Sequence, residues 1–468
     1  MPRPSRRTAL NASATAAALC LVLAGCAGPG ASPSESEGGA VTDKNPFGVA
    51  ANTKVDIVVF DGGYGTEYAK YAAGLVEKQI GDGVTVQITP SNNLSQSLQP
   101  RFVGGTPPDS FTNDGADAIP ITSIQDQLED LGDFWDTKNY DGVKVSDAVF
   151  PGVKEVGEYD DAYLNANYVM TLFSLWYSQS LFEENGWKPP TTWSEMGDLC
   201  TEAKAKDKYL FTFGKEAAVY YQWLVLDSAI KQGGIDVIDD ISNLEPGAWS
   251  NAAVKDVLGE MEGLIDDGCF VPGGAGTQFT QAQAQWSNDQ DALFYYSGSW
   301  IESEMKEATA DGFEMTAWPA PLLDAGDAAL PFEAVQAGPA IPWAVPKAAA
   351  STAGGKEFLR ALFSKEAASK FSELTLAPTV VKDTVPADGF GSSALASTMG
   401  VMEGAGDDLF SWVSNSYSGY YGIQDAPYWV SFLAGDITAQ ELIDAEEKLS
   451  AAAAADTSKP KKEYDYGK

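Results

Sequence analysis

A β-rich run, an amphipathic helix and a second β-rich run, all within residues 55–89, constrain this chain more than any other feature. Residues 55–60 read VDIVVF and residues 84–89 read VTVQIT, with a Gly-Asp-Gly turn before the second run. Between them, Tyr68, Tyr71, Ala72, Leu75, Val76 and Ile80 recur with the 3.6-residue period of a helix over 66–80. Strand, helix, strand at this spacing is a βαβ unit, which requires a parallel sheet and places the chain in the α/β class. Glycines and prolines at 104–108 force a turn, after which residues 110–112 can enter the same sheet. Asn113, Asp114 and Gly115 then fall at a strand's carboxyl end, the edge where open α/β sheets bind ligands.

Further along, Thr192 and Glu195 form a T-x-x-E capping box opening a helix to about Lys206. Residues 252–266 carry Val254, Val257, Leu258, Met261, Leu264 and Ile265 on one helical face. A polar helix over 280–287 leads into a strand over 292–296 and then Ser297-Gly298-Ser299-Trp300. Thr438 and Glu441 cap a last helix to about Ala452, and the charged tail 456–468 is expected to be disordered.

The amino terminus fixes the compartment. Arg3, Arg6 and Arg7 precede an alanine-rich apolar stretch over 12–23, too short for a membrane span, so residues 1–25 read as a signal peptide. Leu23-Ala24-Gly25-Cys26 resembles the lipobox of bacterial lipoproteins, implying cleavage before Cys26 and a lipid on its thiol; an ordinary signal peptide is the alternative. Ser5-Arg6-Arg7 resembles part of a twin-arginine signal, but Ala9 is small where that motif prefers a large apolar residue, and both export routes stay open. Residues 26–52, rich in Gly, Ser and Pro at their start, are expected to form a flexible tether. No later segment offers 18 consecutive apolar residues, so the lipid would be the chain's hold on the membrane.

Composition removes whole classes of chemistry. The net charge of −36 repels polyanions and excludes nucleic acid as a partner, although acidity also serves solubility. The chain has no histidine, so no Ser-His-Asp or Cys-His constellation is possible and the commonest zinc ligand is missing. Cys200 and Cys269 remain after the leader and Cys26 are set aside; a disulfide or two buried thiols both fit. No G-x-x-x-x-G-K-[ST], G-x-S-x-G, H-E-x-x-H or EF-hand pattern occurs, and no catalytic residue, cofactor or metal is expected. A polysaccharide hydrolase would need two carboxylates across a cleft, and 66 acidic residues make such a pair uninformative. A glycan-binding surface adhesin is a third class.

These landmarks, in this order, resemble the solute-binding proteins of carbohydrate ABC importers, the group that includes maltodextrin-binding proteins. The likeness rests on the G-x-x-P-D turn at 105–109, on L-F-x-x-x-G-x-x-x-P-x-T-W-x-E from 181 to 195, and on G-x-W at 298–300. A narrower likeness, carried by residues 61–65, 100–105 and 297–302, is to the actinobacterial N-acetylglucosamine and diacetylchitobiose-binding lipoproteins. The sequence departs from that pattern with Phe-Thr-Asn-Asp-Gly-Ala at 111–116, near the expected cleft. The resemblance implies a two-lobed periplasmic-binding-protein-like fold, each lobe a mainly parallel sheet flanked by helices and the lobes joined by hinge strands. One lobe would hold residues 53–172 and 337–383, the other 173–336 and 384–455, with crossings near 173–177 and 337–343. The implied role is non-enzymatic: a monomer on the outer face of the cell membrane captures a small carbohydrate for ABC permease subunits. The sugar would be N-acetylglucosamine or a chito-oligosaccharide, with malto-, cello- or xylo-type oligosaccharides as alternatives.

A sugar offers hydroxyls and patches of C–H, so its site needs flat aromatic faces and fixed polar groups. Tyr64 lies in a glycine-rich loop past the first strand, as a ligand contact or a turn cover. Asn113 and Asp114 lie at another strand end, as ligand contacts or as an Asx turn or cap. By the resemblance, Tyr220 stacks on the sugar, Trp223 stacks or packs behind it, and Trp300 is the tryptophan of the G-x-W platform. Glu302 could accept sugar hydroxyls or lie solvated at a helix start. Gln336 and Trp343 fall near the second crossing, the latter as a cleft or core ring. Trp412, Tyr417, Tyr420 and Tyr421 offer a further aromatic wall.

Overall fold

The computed structural model describes residues 38–62, 64–114, 118–159, 161–305, 308–412, 425–457 and 465–466. The expectations placed on the leader and Cys26, and on Tyr417, Tyr420 and Tyr421, lie outside these residues.

Strand β1 (Lys54–Phe60) and strand β2 (Thr85–Ser91) run parallel, from Lys54 opposite Thr85 to Phe60 opposite Ser91, with the helix Glu67–Ile80 between them. Val55, Ile57 and Val59 alternate inward and are buried with Ala69, Ala72 and Val76 of that helix. The buried face is rotated slightly from the one periodicity drew. Ala69 and Ala73 are inside, while Tyr71 is exposed and donates its hydroxyl to Glu366 at 2.9 Å. Small alanines let the helix approach the sheet closely, and a tyrosine at the margin can satisfy its hydroxyl outside.

Strand β3 (Ser110–Thr112) adds to the other edge of β1, also parallel. The Pro-Asp turn before it acts as a clamp. Buried Asp109 accepts the Asp56 N–H at 2.8 Å and the Ser351 N–H at 2.6 Å, tying β1 to the start of the helix Thr352–Leu362. A side chain at Gly355 could not fit, because its Cβ would lie 2.0 Å from the Asp109 carbonyl oxygen.

Two-residue strands β4 (Glu158–Tyr159) and β5 (Ala162–Tyr163) form a separate ribbon. Strand β6 (Ala166–Ser178) spans thirteen residues and changes partners halfway. Its first half pairs antiparallel with strand β10 (Val335–Ala344), from Ala166 opposite Trp343 to Leu172 opposite Ala337. Its second half pairs with strands β8 (Ala292–Gly298) and β9 (Met315–Trp318), beginning with Phe173 opposite Gly298. Strand β7 (Tyr209–Phe211) extends the sheet beyond β8, and strand β11 (Leu409–Phe410) lies beside the start of β10. The order β2-β1-β3-β10-β6-β8-β7 therefore divides at Leu172–Phe173. Within β10, Ile341 adopts the left-handed φ of +57°, rare for a β-branched residue, and the ladder to β6 skips it.

Apolar packing follows the division only in part. Leu175, Trp193, Leu224, Trp249, Val257, Phe294 and Trp429 share one core on the β7–β8 side. The core of the β1–β3 side, with Tyr68, Trp135, Trp343, Phe358 and Phe371, continues across the exchange to Trp176, Tyr295 and Met315. Both capping boxes form, at Thr192 with Glu195 and at Thr438 with Glu441. Cys200 and Cys269 are joined by a disulfide across 69 residues, and both are buried.

Two boundaries differ from expectation. The compact unit begins at Gly39, so residues 39–52 are not tether: Val49 is buried, and Arg360 donates to the Lys44 carbonyl at 3.0 Å. In the charged tail, Tyr466 packs against the second core and its N–H donates to Asp239 at 2.8 Å. Both depend on partners hundreds of residues away, which local composition cannot reveal.

Candidate functional site

Strand β8 ends in Gly298, and the reason for a glycine there is geometric. The Trp300 ring folds back over it, and a Cβ at Gly298 would lie 2.1 Å from the ring. The half-buried ring is held edge to face by Phe173 of β6 at 5.5 Å between centroids and by Tyr220 at 6.2 Å. Tyr220 opens the helix Tyr220–Gly233 and stacks on Trp223 at 4.8 Å, and Trp223 meets Phe173 at 5.0 Å. Four half-buried rings thus form a closed circuit of flat faces. The Trp223 Nε1 hydrogen has no partner within it.

Helix Ile301–Met305 begins immediately after Trp300, and the Glu304 N–H donates to the Trp300 carbonyl at 3.1 Å. Glu304 is exposed to solvent, yet desolvation is the main cause raising its carboxyl pKa, partly offset by the Gln283 amide at 2.9 Å. Tyr220 and Tyr295 feel the same carboxylate, and burial and Glu304 both push their hydroxyl pKa values up. Tyr295 is buried at 1% exposure, and its hydroxyl has no hydrogen-bond partner.

The β1–β3 half supplies the opposing groups. Gly62–Gly65 closes a tight turn (N–H to carbonyl 2.9 Å) that carries Tyr64, whose ring packs on Phe371 at 5.4 Å. Its hydroxyl pKa is raised by burial first, then by Glu304 and Asp114, so carboxylates from both halves of the sheet act on one tyrosine. Asp114 is pushed up to about 6 from 3.8 by burial, opposed by a hydrogen bond from Thr112. One of its carboxylate oxygens, Oδ1, is buried without a partner.

Tyr64 therefore lies within electrostatic reach of Asp114 and of Glu304, and Glu304 within reach of Tyr220, which meets Trp223 and Trp300. Five other residues have different surroundings. Asn113 is a loop clamp, donating to the Ile119 carbonyl at 2.7 Å and accepting the Ile119 N–H at 2.9 Å. Glu302 receives the Ser392 hydroxyl at 2.7 and 2.6 Å, at the start of the helix Ser393–Ala405. Buried Gln336 donates to the Trp412 carbonyl at 3.1 Å. Trp343 is a core ring with no exposed surface, packed on Phe358 at 5.3 Å. Trp412 is also buried, donating its Nε1 hydrogen to Asp227 at 3.0 Å.

Sequence reasoning missed Glu304, Gln283 and Tyr295. A signal for Glu304 existed: in a helix opening after the platform tryptophan, the residue four on shares its face, whereas Glu302 does not. Gln283 and Tyr295 come from other elements and carry no local mark.

A family model for bacterial extracellular solute-binding proteins matches residues 38–369. The diacetylchitobiose binding protein NgcE of Streptomyces coelicolor is 49% identical over 448 residues, 95% of each chain. Among solved structures, the solute-binding protein RafE in complex with raffinose superposes with a TM-score of 0.66 at 19% identity, over 86% of this chain and all of that one. A chitin oligosaccharide binding protein gives 0.64 at 14% identity, over 85% and 98% of the two chains. At these identities the structural likenesses establish the two-lobed α/β fold.

Proposed function

The chain belongs to the bacterial extracellular solute-binding protein family, whose members are exported binding proteins and not enzymes, and on that premise we propose that it captures N-acetylglucosamine or a short chito-oligosaccharide for an ABC-type permease. The observation that carries the reading is the aromatic circuit around Trp300, with Glu304 acting on Tyr220 and, together with Asp114, on Tyr64. Flat rings suit the C–H faces of a pyranose, and fixed carboxylates suit its hydroxyls and an acetamido N–H. The 49% identity to a diacetylchitobiose binding protein supports the same sugar class.

The mechanism follows from where these groups reside. Tyr64 and Asp114 belong to a lobe of residues 53–172 and 337–383; Tyr220, Trp223, Trp300 and Glu304 belong to one of 173–336 and 384–455. The partner exchange of β6 at Leu172–Phe173 and the start of β10 at Val335 support that division. A ligand held by both lobes binds the closed form better than the open one, and that difference drives closure. The permease then distinguishes loaded from empty protein by shape.

Calorimetry of the exported chain against N-acetylglucosamine, diacetylchitobiose, glucose, maltose, cellobiose and xylobiose tests the ligand. Acetylated sugars are expected to bind with about micromolar affinity, roughly −8 kcal/mol. Loss of the N-acetyl group in glucose should cost about 1–3 kcal/mol, because the acceptor built for its N–H is left unpaired. Tighter binding of glucose or maltose would overturn the assignment.

Asp114 gives this reading a pH signature with a definite sign. Its folded pKa lies above its ordinary value, so its contribution to stability is present below 3.8 and is lost as pH rises through about 6. Ligand binding to the ionised carboxylate runs the other way. Affinity should fall by up to about tenfold between pH 7 and pH 5 while this group itself makes the fold no less stable. Affinity that is flat across that interval would remove Asp114 from the site.

Leu23-Ala24-Gly25-Cys26 supports a lipid anchor at Cys26. Cys26→Ser should release the protein to the medium or leave it unprocessed, as cell fractionation would show. Normal processing with membrane retention would refute the anchor.

A further inference from the structure

Resting on that sugar-binding reading and its two lobes, we propose that Ser303 is a positioning residue whose hydroxyl latches the lobe carrying Trp300 to the lobe carrying Tyr64. The Ser303 hydroxyl donates to the Thr375 carbonyl at 2.6 Å. Ser303 stands three residues after Trp300, in the helix Ile301–Met305. Thr375 ends the helix Lys365–Thr375, where Leu376 turns to the left-handed φ of +54°. The last four carbonyls of a helix have no partner within it, and this one takes its hydrogen from the other side of the lobe division. Both partners belong to the chain, so the bond does not depend on a sugar.

The bond closes a continuous path between the two sides of the proposed cleft. On one side, Tyr64 packs on Phe371 at 5.4 Å, and Phe371 lies one turn before Thr375, whose hydroxyl donates to the Phe371 carbonyl at 2.9 Å. On the other, helix Ile301–Met305 opens directly after Trp300, whose ring meets Phe173 and Tyr220. Two further contacts fix the Trp300 segment to the connections between the lobes. The Ser299 N–H donates to the Leu172 carbonyl at 2.8 Å and its hydroxyl accepts the Leu172 N–H at 3.3 Å, at the partner exchange of β6. Glu302 accepts the Ser392 hydroxyl at 2.7 and 2.6 Å, past the return near 383–384. Bonds on the connections tolerate lobe rotation, whereas the Ser303 bond reaches a helix beyond them and is broken by it. A latch that favours the gripping arrangement raises the fraction of protein competent to bind, and apparent affinity rises with that fraction.

Calorimetry with N-acetylglucosamine and diacetylchitobiose, on the exported chain and its Ser303→Ala and Ser303→Thr variants, tests the proposal. Ser303→Ala should weaken both sugars by one common factor, about three- to tenfold, the range for loss of a single hydrogen bond. Ser303→Thr keeps the hydroxyl and should bind like the parent. A direct contact with the ligand would make the loss differ between the two sugars. A purely local helix cap would lower the unfolding midpoint and leave affinity unchanged. Either result overturns the latch and leaves the functional reading intact. Small-angle scattering of the three proteins without added sugar supplies a readout that needs no ligand: Ser303→Ala should have the larger radius of gyration, and three equal radii overturn the inference. If neither sugar binds the parent, the functional reading falls and the radii alone decide the latch.

Discussion

Trp300→Ala is expected to weaken binding of the acetylated sugar by about 1–3 kcal/mol, roughly ten- to a hundredfold, while leaving the unfolding midpoint nearly unchanged. The magnitude is that of removing one stacking aromatic face, measured for bases and carried here to a sugar ring. The small stability effect follows from position, because the ring is half-buried, lies over a glycine and meets other half-buried rings. Trp343→Ala supplies the contrast. That ring has no exposed surface and packs on Phe358, so its loss should cost about 3–5 kcal/mol of stability. Calorimetry and denaturant unfolding on both variants separate a platform from a core ring. Normal affinity with a large loss of stability in Trp300→Ala would remove Trp300 from the site.

The second large effect concerns the Cys200–Cys269 bond. Replacing both cysteines by alanine should lower unfolding free energy by about 4 kcal/mol, the chain-entropy value for a loop of 69 residues. Both sulfurs are buried in the core beneath β7 and β8 and are not among the cleft residues, so the folded variant should keep its sugar affinity. Urea unfolding and nonreducing peptide mapping measure the two claims. Unchanged stability, or two freely alkylated thiols in the native protein, would contradict them.

How legible the chain was depended on whether structure is dictated nearby or far away. The first βαβ unit was readable because alternation in β1 and the helical period at 66–80 are local consequences of burying one face. The capping boxes were readable for the same reason, two side chains meeting their own helix start. Strand β10 was legible only through the family resemblance, which puts a crossing at 337–343: it contains Gly338, Pro339 and Pro342, which ordinarily argue against a sheet interior. Its pairing with β6 overrides them. Helix Thr352–Leu362 was hidden, since Gly354 and Gly355 lower helix propensity, yet Gly355 is what lets the helix reach the Asp109 backbone.

The candidate site divides along the same line. Trp300, Tyr220 and Asp114 were approachable from motif and strand-end position. Glu302 was chosen where Glu304 joins the cluster, because proximity in sequence was weighed without the helical turn that sets direction. Asn113 and Trp343 answer to Ile119 and Phe358, partners that only the folded chain brings near.

Ile341 shows how far the sheet can hold a residue against its own preference. A β-branched residue held at φ +57° carries a conformational cost of about 1–3 kcal/mol, sustained by its neighbours. The ladder to β6 grips the strand on both sides of it, with Ala340 opposite Val169 and Pro342 opposite Asn167. The cost is thus locked inside the sheet, several residues from the Leu172–Phe173 exchange.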